Sequence, residues 1–197
     1  MTRLGIFGGA FNPIHTAHLI LAEDVREQMH LDKVIFIPYA NPPHKDPDKL
    51  LDAESRLKLI NTAIRNNKCF ESSDIEIIKG RSSKTYTVDT LIQLHEVYKN
   101  EHAKFYLIIG IDNLVELHTW KDPGKLFRLA EVIVLNRPGF LIQDVKNEYY
   151  SQVTFIPAPN IDISSSDIRN RIKEKRSIKY IVPEAVEKEI IENKLYL

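Results

Sequence analysis

Short apolar runs alternate along the chain with segments in which apolar residues recur every three or four positions. The runs are rich in β-branched residues, as buried strands are, and they cover residues 4–7, 33–38, 69–78, 104–110, 131–135 and 153–156. Helical spacing predicts helices from about residue 16, over residues 53–66, 87–99 and 125–129, and twice more near the C-terminus. This alternation predicts an α/β fold with a mainly parallel sheet.

No internal repeat or low-complexity linker separates these segments, so we predict a single domain over residues 1–197. Open α/β sheets bind their ligands outside the carboxyl ends of the strands. Residues that directly follow the predicted strands are therefore the first candidates for a functional site.

The segment between the first strand and the first helix is the strongest candidate. Gly8 and Gly9 lack a Cβ, so we expect the backbone to turn sharply there and to approach a ligand closely. His15 lies at the start of the helix, where unpaired N–H groups and the helix dipole favour an anion. His18 continues the apolar stripe of the helix, so its ring should face the strand ends. The pattern predicts a polyphosphate site.

A metal site and a purely structural histidine pair are the alternatives for His15 and His18. A His-x-x-His metal site needs a third ligand of defined geometry, and the neighbouring sequence offers no obvious one. The glycines, the turn and the helix start favour phosphate.

Composition narrows the class of protein. Lys plus Arg and Asp plus Glu number 27 each, so no basic excess points to nucleic acid. Cys69 is the single cysteine, which excludes an internal disulfide and fits a reducing compartment. No apolar stretch approaches the ~18 residues that a membrane span requires. We expect a cytoplasmic protein with no membrane partner.

Two further motifs have simple structural explanations. A proline-rich loop after the second strand holds Lys45, which could neutralise phosphate but also fits a solvated turn. Thr87 is a candidate helix N-cap with Asp89 in the first turn.

Two other motifs are harder to explain by structure alone. Trp120 follows the most apolar strand and lies among polar residues, which weakens its assignment to the core. Ser164 and Asp167 have capping-box spacing, so a helix should begin there, with Arg169 in its second turn. This helix start is a second anion site, because capping explains the serines but not the arginine.

Five motifs, in order, resemble those of the nucleotidyltransferase superfamily, and of its bacterial nicotinate-nucleotide adenylyltransferases in particular. They lie in residues 8–18, 42–45, 85–91, 110–120 with 137–139, and 163–169. Asn12 replaces a common Asp, Ala17 replaces the usual Gly, and Tyr39 stands where Asn is frequent. Lys121 stands where the family usually has Tyr or a similar residue.

This resemblance implies a Rossmann-like, doubly wound nucleotidyltransferase fold and the transfer of the adenylyl group of ATP to nicotinate mononucleotide. It implies catalytic roles for His15, His18, Lys45 and Arg169. It implies ATP binding by Gly8, Gly9, Ala10, Phe11, Ile163, Ser164, Ser165 and Arg169. It implies mononucleotide binding by Thr87, Gly110, Asp112, Trp120, Lys121 and Arg137. Mg²⁺ should be held mainly by the ATP phosphates, with no protein metal ligands.

Several alternatives stay open. The same fold transfers nucleotidyl groups to phosphopantetheine or to small alcohol phosphates, and those proteins lack the motifs at residues 85–91 and 110–120. An enzyme using both nicotinate and nicotinamide mononucleotide is a second alternative, and a non-catalytic nucleotide sensor is a third. The sequence leaves open whether the chain forms a homo-oligomer.

Overall fold

A six-stranded sheet forms the centre of the molecule, in a computed structural model that describes residues 1–40, 50–80, 84–136 and 148–197. The strands are β1 (Arg3–Gly9), β2 (Lys33–Pro38), β3 (Phe70–Ser72), β4 (Lys104–Gly110), β5 (Glu131–Leu135) and β6 (Val153–Ile156). Their order is β3-β2-β1-β4-β5-β6, and every paired neighbour runs parallel. The predicted α/β fold with a doubly wound parallel sheet is confirmed.

Helices cover both faces of this sheet. They are α1 (Thr16–Gln28), α2 (Ala53–Ile64), α3 (Ile75–Gly80), α4 (Thr87–Val97), α5 (Ile111–Glu116), α6 (Pro123–Leu129), α7 (Ser165–Lys173) and α8 (Glu184–Glu192). Buried side chains of α1, α2, α7 and α8 share one apolar cluster with one face of the sheet. Those of α4, α5 and α6 share a second cluster with the opposite face.

The central strand β4 shows why both faces are apolar. Phe105, Leu107 and Ile109 pack into one cluster, whereas Tyr106 and Ile108 pack into the other. Successive strand residues point to opposite faces, so a strand buried on both sides must be apolar throughout. This explains why the parallel strands appear in the sequence as continuous apolar runs.

The predicted strand over residues 69–78 is wrong in its second half. Only Phe70–Ser72 forms a strand, and Ile75–Gly80 is a helix. The Ser73 hydroxyl accepts a hydrogen bond from the N–H of Ile75, and the carbonyl of Asp74 accepts the N–H of Ile78, which closes the first turn of the helix. The isoleucines of this segment suggested a strand because a short apolar run does not by itself distinguish the two structures.

The order of the strands reverses between β1 and β4, which are neighbours at the centre of the sheet. The connections after β1 lead to one edge of the sheet, and those after β4 lead to the other. The loops that leave these two strands therefore separate and open a crevice at their carboxyl ends. The motifs over residues 8–18 and 110–120 begin at the carboxyl ends of β1 and β4.

Candidate active site

Two histidine rings stack on each other at the carboxyl end of β1. His15 is the N-cap of α1 and is 5% exposed, and His18 is the third helical residue. Their ring centroids lie 3.6 Å apart, and the ring of Phe11 packs against His18 with centroids 5.0 Å apart. The N–H of His15 donates to Nδ1 of His18 over 3.2 Å. A ring nitrogen that accepts carries no proton, so the neutral His18 ring carries its proton on Nε2, as a donor.

The glycines before this loop do not make the turn, contrary to the expectation. Gly8 and Gly9 both belong to β1, and the left-handed backbone occurs at Phe11, with φ 44°. A Cβ on Gly8 would lie 2.9 Å from Cε1 of Tyr39, and one on Gly9 would lie 2.9 Å from Cζ of Phe11. Both positions are glycine because aromatic rings occupy the space that a Cβ would need.

The helix start that the sequence predicts at Ser164 forms as expected, at the beginning of α7. Ser164 is the N-cap, and its hydroxyl accepts the N–H of Asp167 over 3.1 Å. Ile168 is fully buried, and Ile163 packs against the same apolar cluster. The predicted capping box and the apolar contact beside it therefore place the first turn of α7.

The first two turns of α7 contact the loop between β1 and α1, residues 10–15, which we call the histidine loop. Nη1 of Arg169 donates to the carbonyl of Asn12 over 2.8 Å, and Nη2 donates to Oγ of Ser166 over 3.1 Å. The hydroxyl of Ser165 donates to the carbonyl of Pro13 over 2.9 Å. The two segments that the sequence predicts separately as anion sites are therefore in direct contact in the structure.

A buried arginine that sequence analysis missed supports the same loop. Arg56 of α2 is 1% exposed, and it donates to the carbonyls of Leu51, Ala10 and Tyr39 over 2.8, 2.7 and 2.6 Å. Burial lowers the pKa of its guanidinium. A signal was present, since Arg56 precedes Ile60 by four residues and so lies on the apolar stripe of α2.

The end of β4 positions the candidate residues for the acceptor nucleotide. Gly110 is the N-cap of α5, and a Cβ there would collide with the carboxylate of Asp112. A 3₁₀ turn over Leu117–Thr119 follows, and the N–H of Trp120 donates to the carbonyl of Leu117 over 3.0 Å. Trp120 is half-buried and packs on the edge of the apolar core.

Helix α4 begins at Thr87, where the helix predicted over residues 87–99 begins, but Thr87 is not its N-cap. Tyr86 is the N-cap and Thr87 is the first helical residue, so the prediction that Thr87 caps the helix is wrong. The physical reason is that the carbonyl of Tyr86 accepts the N–H groups of Asp89 and Thr90, over 3.0 and 3.1 Å, and so closes the first turn. Asp89 lies in that turn, as predicted.

An ion pair joins α4 to the segment after Trp120. Nζ of Lys121 donates to both carboxylate oxygens of Asp89, over 3.0 and 3.2 Å. The same nitrogen lies 4.9 Å from the centroid of the Tyr86 ring, over its face. The hydrogen bond and the charge of Asp89 raise the pKa of Lys121.

Tyr39, which the sequence singled out only as a departure from the family, follows β2 and lies beside the carboxyl end of β1. Its N–H donates to the carbonyl of Gly9 over 2.9 Å. Burial raises the pKa of its phenol, and the carboxylates of Glu76 and Asp112 raise it further. The phenol therefore stays protonated and contributes no negative charge at neutral pH.

Two predicted site residues, Lys45 and Arg137, lie outside the described residues. Within the described ranges, no group of three or more His, Cys, Asp or Glu side chains could hold a metal ion. In the same parts of the chain, no helix is long and apolar enough to cross a membrane.

The family model described as Cytidylyltransferase-like matches residues 6–171. The protein named "Probable nicotinate-nucleotide adenylyltransferase" of Desulfitobacterium hafniense (strain Y51) is 39% identical to this chain over 201 residues, which cover 98% of this chain and 95% of that protein. This chain belongs to the nicotinate-nucleotide adenylyltransferase family. The resemblance found in the sequence motifs is thereby confirmed.

Other adenylyltransferases also match this chain over nearly its whole length. The identically named protein of Thermoanaerobacter sp. (strain X514) is 39% identical over 201 residues, covering 98% of this chain and 94% of that one. Among solved structures, Plasmodium falciparum nicotinic acid mononucleotide adenylyltransferase complexed with NaAD superposes with a TM-score of 0.80 at 21% identity. That match covers 100% of this chain and 98% of the other, and it shows the shared nucleotidyltransferase fold.

Proposed function

We propose that this chain transfers the adenylyl group of ATP to nicotinate mononucleotide, giving deamido-NAD and pyrophosphate for NAD biosynthesis. The observation that carries the proposal is the contact between the histidine loop after β1 and the first two turns of α7, through Ser165 and Arg169. It gathers two imidazoles and a guanidinium at the crevice where the strand order reverses.

The site has two ends with different chemistry. We call one end the phosphate end, and it consists of His15, His18, Arg56 and Arg169. The two histidine rings stack at the histidine loop, and the two arginines donate hydrogen bonds to its carbonyls and bring positive charge. We call the other end the pyridine end, and it consists of Thr87, Asp112, Trp120 and Lys121. The last three follow β4, and Thr87 begins α4, the helix to which Lys121 is joined by its ion pair. The names follow the roles that we propose for them.

The proposed reaction is a single displacement at phosphorus. A phosphate oxygen of the mononucleotide attacks the α-phosphorus of ATP, and the bond from that phosphorus to the oxygen bridging to the β-phosphorus breaks. Pyrophosphate leaves with the electron pair of that bond. The attacking phosphate is already an anion at neutral pH, so no side chain has to remove a proton, and catalysis rests on position and charge.

His18 fits this reaction because its Nδ1 accepts from the backbone and leaves Nε2 as the donor to a phosphate oxygen. Arg169 adds a fixed positive charge beside the loop, since its guanidinium is held on Asn12 and Ser166. Lys45 and Arg137 add positive charge in this proposal on the strength of the family motifs.

The proposal includes Mg²⁺, bound together with ATP. We propose that ATP phosphates and water hold this ion, because Mg²⁺ usually keeps several of its waters when it binds. Bound there, Mg²⁺ would neutralise part of the phosphate charge.

At the pyridine end, the indole of Trp120 is proposed to stack on the pyridine ring, and the backbone N–H groups after it to receive the carboxylate. Thr87 is proposed to help hold the ring, and Asp112 to bind the ribose. The half-buried position of Trp120 supports this role, since a ligand platform needs an accessible face.

Pyrophosphate release from ATP and Mg²⁺ tests the proposal, with nicotinate mononucleotide, nicotinamide mononucleotide and phosphopantetheine offered in parallel. We expect strong preference for the nicotinate form. Equal use of both pyridines would establish a dual-specificity enzyme. Release with phosphopantetheine alone, or with none of the three, would overturn the proposal, and the second result would favour a nucleotide sensor.

A further inference from the structure

Tyr196 follows α8 and turns back towards the body of the molecule. The N–H of Leu195 donates to the carbonyl of Ile190 over 3.0 Å, which folds the chain over the end of α8. The backbone at Tyr196 is left-handed, with φ 68°, a conformation that is costly for a bulky side chain. In this position Tyr196 packs against the apolar cluster that includes Phe11 and Ile14 of the histidine loop.

The two arginines of the phosphate end are charged neighbours of the Tyr196 phenol. Helix α8 packs on α2, which carries Arg56, and an ion pair between Lys58 and Glu189 joins the two helices. The phenol lies close enough to the guanidiniums of Arg56 and Arg169 for both charges to act on it. It is therefore placed where α2 and α7 reach the histidine loop.

The histidine loop holds these two guanidiniums near each other. Nη1 of Arg56 donates to the carbonyl of Ala10 over 2.7 Å, and Nη1 of Arg169 donates to the carbonyl of Asn12 over 2.8 Å. The Cα atoms of residues two positions apart are separated by at most about 7 Å. Two positive charges bound to such neighbouring carbonyls repel each other, and burial makes this repulsion stronger than in water. A group that offsets the repulsion would help to keep Arg169 on the loop.

The hydroxyl of Tyr196 has the chemistry that this task requires. Its oxygen is buried and has no hydrogen-bond partner among the described residues. Burial raises the pKa of Tyr196, the charges of Arg56 and Arg169 oppose this rise, and Asp52 adds to it. The phenol is therefore protonated at neutral pH, and its oxygen offers lone pairs to nearby cations. Burial of a hydroxyl without a hydrogen bond lowers stability, so packing alone does not explain the presence of this oxygen.

We propose that the hydroxyl of Tyr196 positions Arg169, because its oxygen offsets the repulsion between the two guanidiniums and so keeps Arg169 on the carbonyl of Asn12. Tyr196 is a positioning residue, since it acts through Arg169 and not on a substrate. Its expected effect on ATP rests on the proposed function, in which Arg169 faces the phosphates of ATP.

Tyr196→Phe tests this inference, because it removes the oxygen and keeps the ring. We expect the dissociation constant of MgATP to rise about 3- to 10-fold, the effect of one neutral polar group, and kcat/KM for ATP to fall by a similar factor. The thermal unfolding temperature should stay the same or rise, since a buried hydroxyl without a partner has been removed. Isothermal titration calorimetry with MgATP and no acceptor gives the dissociation constant.

Plain packing of the Tyr196 ring is the competing explanation. It predicts that Tyr196→Phe binds MgATP and turns it over as the starting protein does. Loss of activity through poor folding is also distinguishable, because it would lower the unfolding temperature.

A double-mutant cycle with Arg169→Ala shows whether Tyr196 acts through Arg169. In a protein that already carries Arg169→Ala, Tyr196→Phe should change the dissociation constant of MgATP by less than about 2-fold. If the two residues acted independently, the two increases would multiply instead.

Tyr98→Phe is the matched control. Tyr98 is also a half-buried tyrosine, and burial raises the pKa of its phenol. Its ring packs on Phe105, with centroids 5.9 Å apart, in the apolar cluster on the opposite face of the sheet. Tyr98→Phe should leave MgATP binding and kcat/KM unchanged.

Unchanged MgATP binding by Tyr196→Phe would overturn the inference. So would multiplying effects in the cycle, or an Arg169→Ala variant that binds MgATP as tightly as the starting protein. The binding measurement keeps this result separate from the proposed function. If no acceptor led to pyrophosphate release but the binding cycle gave the expected pattern, the proposed function would fail and the inference would stand. Normal turnover of nicotinate mononucleotide by Tyr196→Phe would leave the function standing and refute the inference.

Discussion

The two ends of the site are built in different ways. The phosphate end is held by side chains that reach loop carbonyls from α2 and α7, with the buried Arg56 on three carbonyls and the half-buried Arg169 on the carbonyl of Asn12. The pyridine end is held at its rim by the exposed ion pair of Lys121 and Asp89. Charge stabilisation requires fixed donors, whereas a flat ring needs one accessible surface. Substitutions at the phosphate end should therefore change turnover or folding, and those at the pyridine end should change affinity.

The largest effect is expected at His18. His18→Ala removes the proposed Nε2 donor and should lower kcat by ~10²–10³-fold, the usual cost of losing one donor to a developing charge. His18→Asn should be equally slow but as stable as the starting protein, because its amide oxygen can accept the His15 N–H as Nδ1 does. Steady-state kinetics and thermal unfolding check this pair. Near-normal turnover by a folded His18→Ala would contradict the role of the phosphate end.

Arg56 should give the largest effect on folding. Arg56→Ala leaves three carbonyls without their donor, and each buried unsatisfied group costs ~1–3 kcal/mol, so we expect a loss of about 3 kcal/mol or more in the free energy of unfolding. Urea denaturation measures it. Arg65→Ala is the control, because Arg65 is exposed at the end of the same helix. This substitution should change the free energy of unfolding by less than ~0.5 kcal/mol. Equal losses for the two variants would show that the buried contacts do not support the loop.

Trp120→Ala tests the pyridine end. Loss of ring stacking is worth ~1–3 kcal/mol, so the KM for the mononucleotide should rise about 10-fold or more while the KM for ATP changes little. Trp120→Phe keeps an aromatic face and should recover part of the loss. Parallel increases in both KM values would remove the proposed division between the two ends.

The smallest effect is expected at Asp52, the N-cap of the helix that carries Arg56. Its carboxylate accepts the N–H of Ser55 over 2.8 Å, and Asp52→Ala should cost ~1 kcal/mol of unfolding free energy at neutral pH. Asp52→Asn keeps an acceptor and should cost less. Urea unfolding of the three proteins measures this difference.

The contribution of Asp52 should also depend on pH. Burial alone would raise the pKa of Asp52, but the hydrogen bonds from Ser55 outweigh burial and lower it. A carboxylate with a lowered folded pKa stabilises the fold above its unfolded pKa, ~3.9, and loses this contribution as the pH falls through the folded value. The difference between Asp52→Ala and the starting protein should therefore shrink below about pH 4. A difference that stayed constant down to pH 2 would contradict the assignment.

The spacing of residues a few positions apart predicted much of the candidate site. The wrong predictions also concern residues only a few positions apart. Two helix starts were predicted from residues three positions apart: the His15 and His18 pair, and the cap at Ser164. In the structure His15 is the N-cap of α1 and Ser164 is the N-cap of α7. Thr87 was misplaced by one position, because several residues near a helix start can serve as the cap and packing decides among them. The helix at Ile75 was missed because its apolar residues fit either period.

The sequence by itself determined most of the alternation of strands and helices and the starts of α1 and α7, since these depend on the 2-residue and 3.6-residue periods of the backbone and on local capping. It also carried the family motifs. Only the tertiary structure decided which charged side chains meet. Arg169 reaches Asn12 across 157 positions, Arg56 reaches Ala10 across 46, and Lys121 reaches Asp89 across 32. A charged side chain can pair with any opposite charge or carbonyl that the fold brings near. Its partner is therefore fixed by the closure of the sheet and not by local spacing.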